Sequence, residues 1–361
     1  MSLRVLMTLD AAGGVWRYAM DLARALRAQG GVDVVFLGFG PPPGPALQAE
    51  ADALGVLDWT GLPLDWMVAD AAALADVPQA VAEAAARHRA DLIHLNLPSQ
   101  AAGLPSPLPV LAVSHSCVAT WFLAVRNGGL PRGWDWQRDL NARGLARADA
   151  VVAPSRSHAA LLRQVYGVAA AVVPNAVAPA PRPGAGMPVA VASGRWWDDG
   201  KNGAVLDAAA RQMDWPVTML GPLDGPTGQR FAPRHATAAG TLPHDRALAV
   251  MRDAGLFVSP SLYEPFGLAV AEAAAASVPL LLADIPTFRE LWDGAARFFD
   301  PADPGTLAQA ANALARDADE RARLGQAARL RSRRFAPDAQ GRAMLDLYAR
   351  LTQPQPRAAT R

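Results

Sequence analysis

The sequence predicts an α/β protein built of two doubly wound, Rossmann-like domains that face a central cleft. Three observations carry this. Short β-rich runs alternate with longer helical patterns along the chain, as in parallel sheets covered by helices on both faces. The segment Ala178 to Pro188, APAPRPGAGMP, lacks periodicity and has the composition of a linker, and it separates two such series. With 361 residues, 51% apolar and 19% charged, the chain is long enough for two cores and too apolar to be disordered.

In the first series, residues 1–177, strands are predicted at Arg4–Thr8, Asp33–Leu37, Asp91–Leu95, Val110–Ser114, Ala150–Ala153 and Ala171–Val173. Helices fall at Val15–Gln29, Gln79–Arg89, Trp134–Ala146 and Ser157–Tyr166. In the second, residues 178–336, strands are predicted at Val189–Ser193, Val217–Leu220, Leu256–Val258, Leu280–Ala283 and Arg297–Phe299. The helices between them are Gly203–Gln212, Asp245–Arg252, Gly267–Ala276 and Thr306–Ala315. A last helix is expected over residues 337–351, and residues 352–361 read as a disordered tail. Doubly wound sheets bind ligands at the carboxyl ends of their strands, so the cleft is where chemistry is expected.

The totals exclude several classes. A net charge of +1 makes no case for nucleic acid, and the basic run Arg321 to Arg334 reads as a solvated helical face. One cysteine, Cys117, allows neither an internal disulfide framework nor a cysteine zinc site. The short apolar run Val5 to Leu9 is followed by Asp10, which is unlike a signal peptide, and Leu268 to Ala283 is broken by Glu272 and Pro279. A cytoplasmic protein is the expectation.

Ser259 to Glu290 is the most informative stretch. Glu264 precedes a helix read as opening at Pro265-Phe266-Gly267, with Glu272 inside it. Pro265 suits a first helical turn, where no N–H is needed. The amides of Phe266, Gly267 and Leu268 would then be unpaired donors at the positive end of the helix, a site for a phosphate. Glu272 follows Phe266 by roughly 9 Å at 1.5 Å per residue. That order suits an elongated ligand: sugar hydroxyls on Glu264, diphosphate on the amides, ribose on Glu272. The plain alternative is a capping Glu264 and a solvated Glu272.

Two carboxylates spaced in this way, Glu264 and Glu272 flanking seven residues, resemble the E-x7-E motif of family 4 of the glycosyltransferases, retaining enzymes of GT-B fold. Further motifs extend the resemblance across roughly Arg4 to Tyr348. After the strand ending at Ser193, the loop Gly194-Arg195-Trp196-Trp197-Asp198-Asp199-Gly200-Lys201 supplies two cations where the family carries an Arg and a Lys. Cations so placed stabilise a diphosphate leaving group as its charge grows, so Arg195 and Lys201 are read as catalytic beside Glu264. The turn Asp10-Ala11-Ala12-Gly13-Gly14 is neither a dinucleotide fingerprint nor a P-loop, but it matches the family's glycine loop against the donor phosphate. In Ser114-His115-Ser116, the resemblance implies that His115 touches the donor sugar near the reacting carbon. The aromatics Trp121, Phe122, Trp134 and Trp136 amid Arg126, Arg132 and Arg138 read as packing residues, with an acceptor wall as the second reading. The family usually has Gly where this chain has Ala176 and Ser277.

The resemblance therefore implies donor contacts from Gly13, Gly14, Phe266, Gly267, Leu268 and Glu272, and catalytic roles for Glu264, Arg195, Lys201 and His115. It implies a UDP- or GDP-hexose donor, a saccharide or lipid-linked acceptor, no metal or other cofactor, and contact with a membrane at most peripheral. It also implies that the last helix crosses back to the first domain. A glycoside hydrolase needs carboxylates about 5–5.5 or 6.5–9.5 Å apart, which does not use the anion site. A nucleotide-sugar epimerase and a non-catalytic nucleotide-sugar binder stay open.

Overall fold

The computed structural model describes residues 2–11, 13–180, 186–226 and 228–353. Much of the predicted linker and the tail from residue 354 lie outside the described residues. The first domain contains β1 (Leu3–Asp10), α1 (Gly14–Gln29), β2 (Val32–Phe39), α2 (Pro45–Asp52), β3 (Val56–Trp59) and α3 (Val77–Arg87). It continues with β4 (Leu92–Leu95), β5 (Val110–Val113), α4 (Val118–Arg126), α5 (Asp135–Arg147), β6 (Ala150–Ala153), α6 (Arg156–Tyr166) and β7 (Ala171–Val172). Its strands form a parallel sheet in the order β3-β2-β1-β4-β5-β6-β7. Leu3 pairs with Val32 and the register runs unbroken to Asp10 with Phe39.

The second domain contains β8 (Met187–Ser193), α7 (Gly203–Ala210), β9 (Val217–Leu220), β10 (Thr237–Gly240), α8 (His244–Asp253), β11 (Ala254–Ser259) and α9 (Leu268–Ala275). After these come β12 (Leu280–Ala283), α10 (Pro286–Trp292), β13 (Arg297–Phe299), α11 (Pro304–Arg316) and α12 (Ala318–Ser332). The second sheet is also parallel, in the order β10-β9-β8-β11-β12-β13. Strand order reverses beside β1 in one sheet and between β8 and β11 in the other. At such a switch point, adjacent loops leave in opposite directions and open a crevice. The loops carrying Gly13, Arg195 and Glu264 all leave at these points.

The central strands are apolar throughout: Leu280, Leu281, Leu282 and Ala283 are all fully buried, as expected where helices cover both faces. The missed strands β3 and β10 lie at sheet edges, where Val56 and Thr237 are exposed and the apolar signal fades. Helices α2, α4, α10 and α12 add to those predicted; α12 contains most of the basic run and buries Leu324, Gly325 and Ala328 under it.

The last helix, α13 (Pro337–Thr352), packs on α1 of the first domain, burying Met344, Leu347 and Tyr348 in its core. The approach is close. A Cβ on Gly341 would fall 3.1 Å from the Ala25 side chain and 2.5 Å from Gln29 Nε2. The domains also touch directly at α4 and α6. Trp121 Nε1 donates to Asp198 Oδ1 at 2.9 Å, and Arg126 pairs with Asp199. The Thr120 and Tyr263 hydroxyls lie 2.8 Å apart. Ser155 Oγ donates to the Pro265 carbonyl at 2.7 Å, and Glu290 accepts from the amides of Arg156 and Ser157 at 2.8 and 2.7 Å. Trp121 thus serves as an interdomain contact instead of an open wall, while Phe122 sets its ring edge against both Trp121 and Trp134.

Among the described residues, no helix is long and apolar enough to cross a membrane.

Candidate active site

Helix α9 begins at Leu268, later than the sequence suggests. Pro265 lies before the helix, and the Phe266 side chain is buried edge-on against Phe335, with ring centres 5.2 Å apart. The unpaired amides of its first turn therefore belong to Leu268, Ala269 and Val270, since the first closed bond runs from Ala271 N–H to the Gly267 carbonyl. Gly267 adopts φ 87°, a left-handed conformation that only glycine takes without strain. A Cβ there would also lie 3.1 Å from the Phe288 ring. Backbone geometry, more than room for an anion, explains this glycine.

The amino termini of α1 and α9 converge across the cleft. A Cβ on Gly14, the first residue of α1, would be 3.4 Å from Leu268 Cδ1. A Cβ on Gly13 would be 3.5 Å from Arg195 Nη1. Two positive helix ends and a guanidinium thus face one space, an arrangement that favours an anion. Arg195 also lies 3.6 Å from Asp198 and over the Trp197 ring at 5.7 Å, and its side chain is 46% exposed. Lys201 forms an ion pair with Glu264, and both side chains are largely buried. Ser261 Oγ donates to the same Glu264 oxygen at 3.4 Å. The loops after β8 and β11 bring these partners together because the two strands are neighbours.

Glu272 lies on the fifth residue of α9, roughly 6 Å along the axis from Leu268. Its carboxylate meets His244 Nε2 at 2.8 Å. Hydrogen bonding to Glu272 holds the His244 imidazole above its ordinary pKa, against the effect of burial. Asp21 of α1 faces the pair, and burial chiefly pushes its carboxyl up. These groups line a cavity of about 520 Å³ between α1, α8, α9 and Ala176–Ala180. His244 was not singled out from sequence. Its one signal was its place at the start of the helix predicted from Asp245.

His115 follows β5 and remains partly exposed, with its ring against the Tyr18 ring at 4.4 Å. Its Nε2 is 2.9 Å from Asn96 Oδ1. Burial, then the neighbouring His94 and His158, lower its pKa to about 3, so the ring is neutral at physiological pH. Asn96 was also missed; nothing in Leu95-Asn96-Leu97 marks a polar residue at a strand end as functional.

Comparison with known proteins agrees with this architecture. Residues 12–180 match the model of Glycosyltransferase Family 4, and residues 220–331 match that of Glycosyl transferases group 1. Together the two matches indicate a glycosyltransferase, and the fold is GT-B. A D-inositol 3-phosphate glycosyltransferase of Xylanimonas cellulosilytica is 40% identical over 107 residues, which span 29% of this chain and only 26% of that relative. Among solved structures, sucrose-phosphate synthase of Thermosynechococcus elongatus superimposes with a TM-score of 0.82 at 19% identity, covering 98% of this chain and 100% of that one. Anabaena HepE, in complex with UDP and glucose, gives a TM-score of 0.75 at 16% identity, covering 97% of this chain and 100% of that one.

Proposed function

We propose that this chain is a retaining, metal-independent hexosyltransferase that moves a hexose from a nucleoside diphosphate sugar to an acceptor hydroxyl. The observation that carries this reading is the convergence of Gly14, Leu268 and Arg195 on one space beside the Lys201–Glu264 pair. The diphosphate would accept from the first amides of α9 and from Arg195. Lys201 would turn from Glu264 to the phosphate, freeing Glu264 to hold sugar hydroxyls. Glu272 would take the ribose hydroxyls, displacing His244. Positive charge from Arg195, Lys201 and two helix ends would serve the leaving group where other enzymes use a divalent ion.

The step is a front-face displacement. The bond from the anomeric carbon to the diphosphate oxygen breaks, and a bond to the acceptor oxygen forms on the same face. The acceptor proton passes to the departing phosphate oxygen. The HepE complexes with UDP, glucose and UDP-glucose, and the S. aureus TarM mutant complex with Fondaparinux, alpha-GlcNAc-glycerol and UDP, favour a UDP-sugar and a saccharide-like acceptor. A lipid-linked acceptor would bring the protein to the inner face of a membrane.

Incubation with UDP- and GDP-hexoses, with and without glycosyl acceptors, tests the proposal. The expected result is acceptor-dependent nucleotide release that persists in EDTA and yields a product retaining the donor's anomeric configuration. An isomerised free donor would indicate an epimerase, and binding without turnover a nucleotide-sugar receptor. Loss of activity in EDTA would overturn metal independence.

A further inference from the structure

A buried polar line runs from α13 to the cleft. The Tyr348 hydroxyl lies 2.6 Å from His94 Nδ1, and His94 Nε2 lies 3.3 Å from Asn96 Oδ1. The same Asn96 oxygen is 2.9 Å from His115 Nε2. The orientation of the Asn96 amide follows from its other end: Nδ2 donates to the Thr8 carbonyl at 2.7 Å, while the Asn96 backbone N–H donates to Thr8 Oγ1 at 3.0 Å. A flipped amide would set oxygen against oxygen. Asn96 Oδ1 only accepts, so the His115 nitrogen facing it carries a hydrogen. In a neutral imidazole the other nitrogen is then a bare lone pair. His115 Nδ1 has no partner among the described residues, and the residue keeps contact with solvent.

We infer that Asn96 is a positioning residue that holds His115 as the Nε2–H tautomer, and that the subsite at His115 therefore accepts a hydroxyl proton and disfavours a carboxylate. A hydroxyl hydrogen bonds to the Nδ1 lone pair. A uronate carboxylate has no hydrogen to offer and meets that lone pair with its own. Asn96 is 4% exposed and cannot rotate away without abandoning the Thr8 carbonyl. His94 and Tyr348 complete the arrangement: the Tyr348 hydroxyl donates to His94 Nδ1, and His94 Nε2–H donates to the second lone pair of Asn96 Oδ1. The choice of a neutral hexose over a uronate rests on the donor reading given above; the tautomer does not.

Imidazole nitrogen NMR of the full chain at neutral pH reads the tautomer without substrate. The expected spectrum shows a protonated His115 Nε2 and an unprotonated Nδ1, with a mixed population in Asn96→Leu. A protonated Nδ1 in the native chain, or an unchanged spectrum in Asn96→Leu, would overturn the assignment. The substitution Asn96→Asp keeps the acceptor and adds a negative charge that favours imidazolium, which restores a donor at Nδ1. Affinities are then compared for UDP-glucose, GDP-mannose and UDP-glucuronate. The native chain is expected to prefer a neutral hexose, with Asn96→Asp raising relative affinity for UDP-glucuronate roughly tenfold. Equal ratios in the two chains would overturn the specificity claim. Binding of none of the three would remove both that claim and the donor reading, and the NMR result would still judge the tautomer.

Discussion

Acid should loosen the first domain through its buried histidines. His94 and His158 have no solvent exposure. Burial lowers their pKa values to about 3 and about 4, despite the opposing hydrogen bonds of Asn96 and Ser114. Both folded values lie below the ordinary value of about 6.5. The unfolded chain therefore binds more protons below pH 6.5, so this stability is full above that pH and is lost as pH falls toward the folded values. The loss is about 1.4 kcal/mol per pH unit for each group. Between pH 7 and pH 5 each histidine is titrated in the unfolded state over about 1.5 units, or about 2 kcal/mol, and the two together give about 4 kcal/mol. That is a large share of a typical net stability of about 5–15 kcal/mol. His115, whose pKa burial also lowers to about 3, acts in the same direction. Asp65 and His244, both pushed up, act in the opposite direction. A comparison of native chain and His94→Gln/His158→Gln cancels them. Urea unfolding followed by circular dichroism at pH 7 and pH 5 is the assay. The native chain should lose about 4 kcal/mol more than the double variant; parallel losses within about 1 kcal/mol would refute the reasoning.

Other expected outcomes follow from the site and the backbone. Arg195→Ala and Lys201→Ala should each lower kcat by about 10²-fold or more if they stabilise the leaving group, read by steady-state kinetics; normal kcat in both variants would remove them from that role. Glu272→Ala should raise the donor Kd by calorimetry more than it lowers kcat, because Glu272 lies a turn beyond the anion site; a selective fall in kcat would contradict a ribose contact. Ser277 holds φ 62° at the end of α9, the left-handed region that favours glycine. Ser277→Gly should stabilise the second domain by about 0.5–1 kcal/mol, the relief being offset in part by glycine's freedom in the unfolded chain. A lower Tm would show that the Arg329 hydrogen bond to Ser277 Oγ outweighs the backbone strain.

Legibility in the sequence tracked the kind of signal. Buried central strands such as Leu280–Ala283 were readable because a run of apolar residues has few other uses. The edges β3 and β10 were not, since half-exposed strands lose that pattern. Helix α9 was recognised but begins later than Pro265-Phe266-Gly267 suggests. Pro265 is as compatible with a loop as with a first turn, and the left-handed Gly267 decides where the helix starts. Helix α4 went unread, yet its Trp121 and Thr120 join the domains. A side chain's partner in another domain leaves no mark on its own segment.

Periodicity and the linker were enough to determine two parallel α/β domains, and the family resemblance carried by Glu264 and Glu272 nominated Arg195, Lys201 and the glycine turn. Those signals are local: they depend on neighbours in the chain and on a strand's burial. Only the tertiary structure decided that Lys201 lies against Glu264, that Gly14 meets Leu268, that His244 occupies Glu272, and that Asn96 orients His115. Three of these contacts join segments brought together within one domain by the order of its strands, and the fourth, Gly14 with Leu268, depends on how the two domains pack across the cleft.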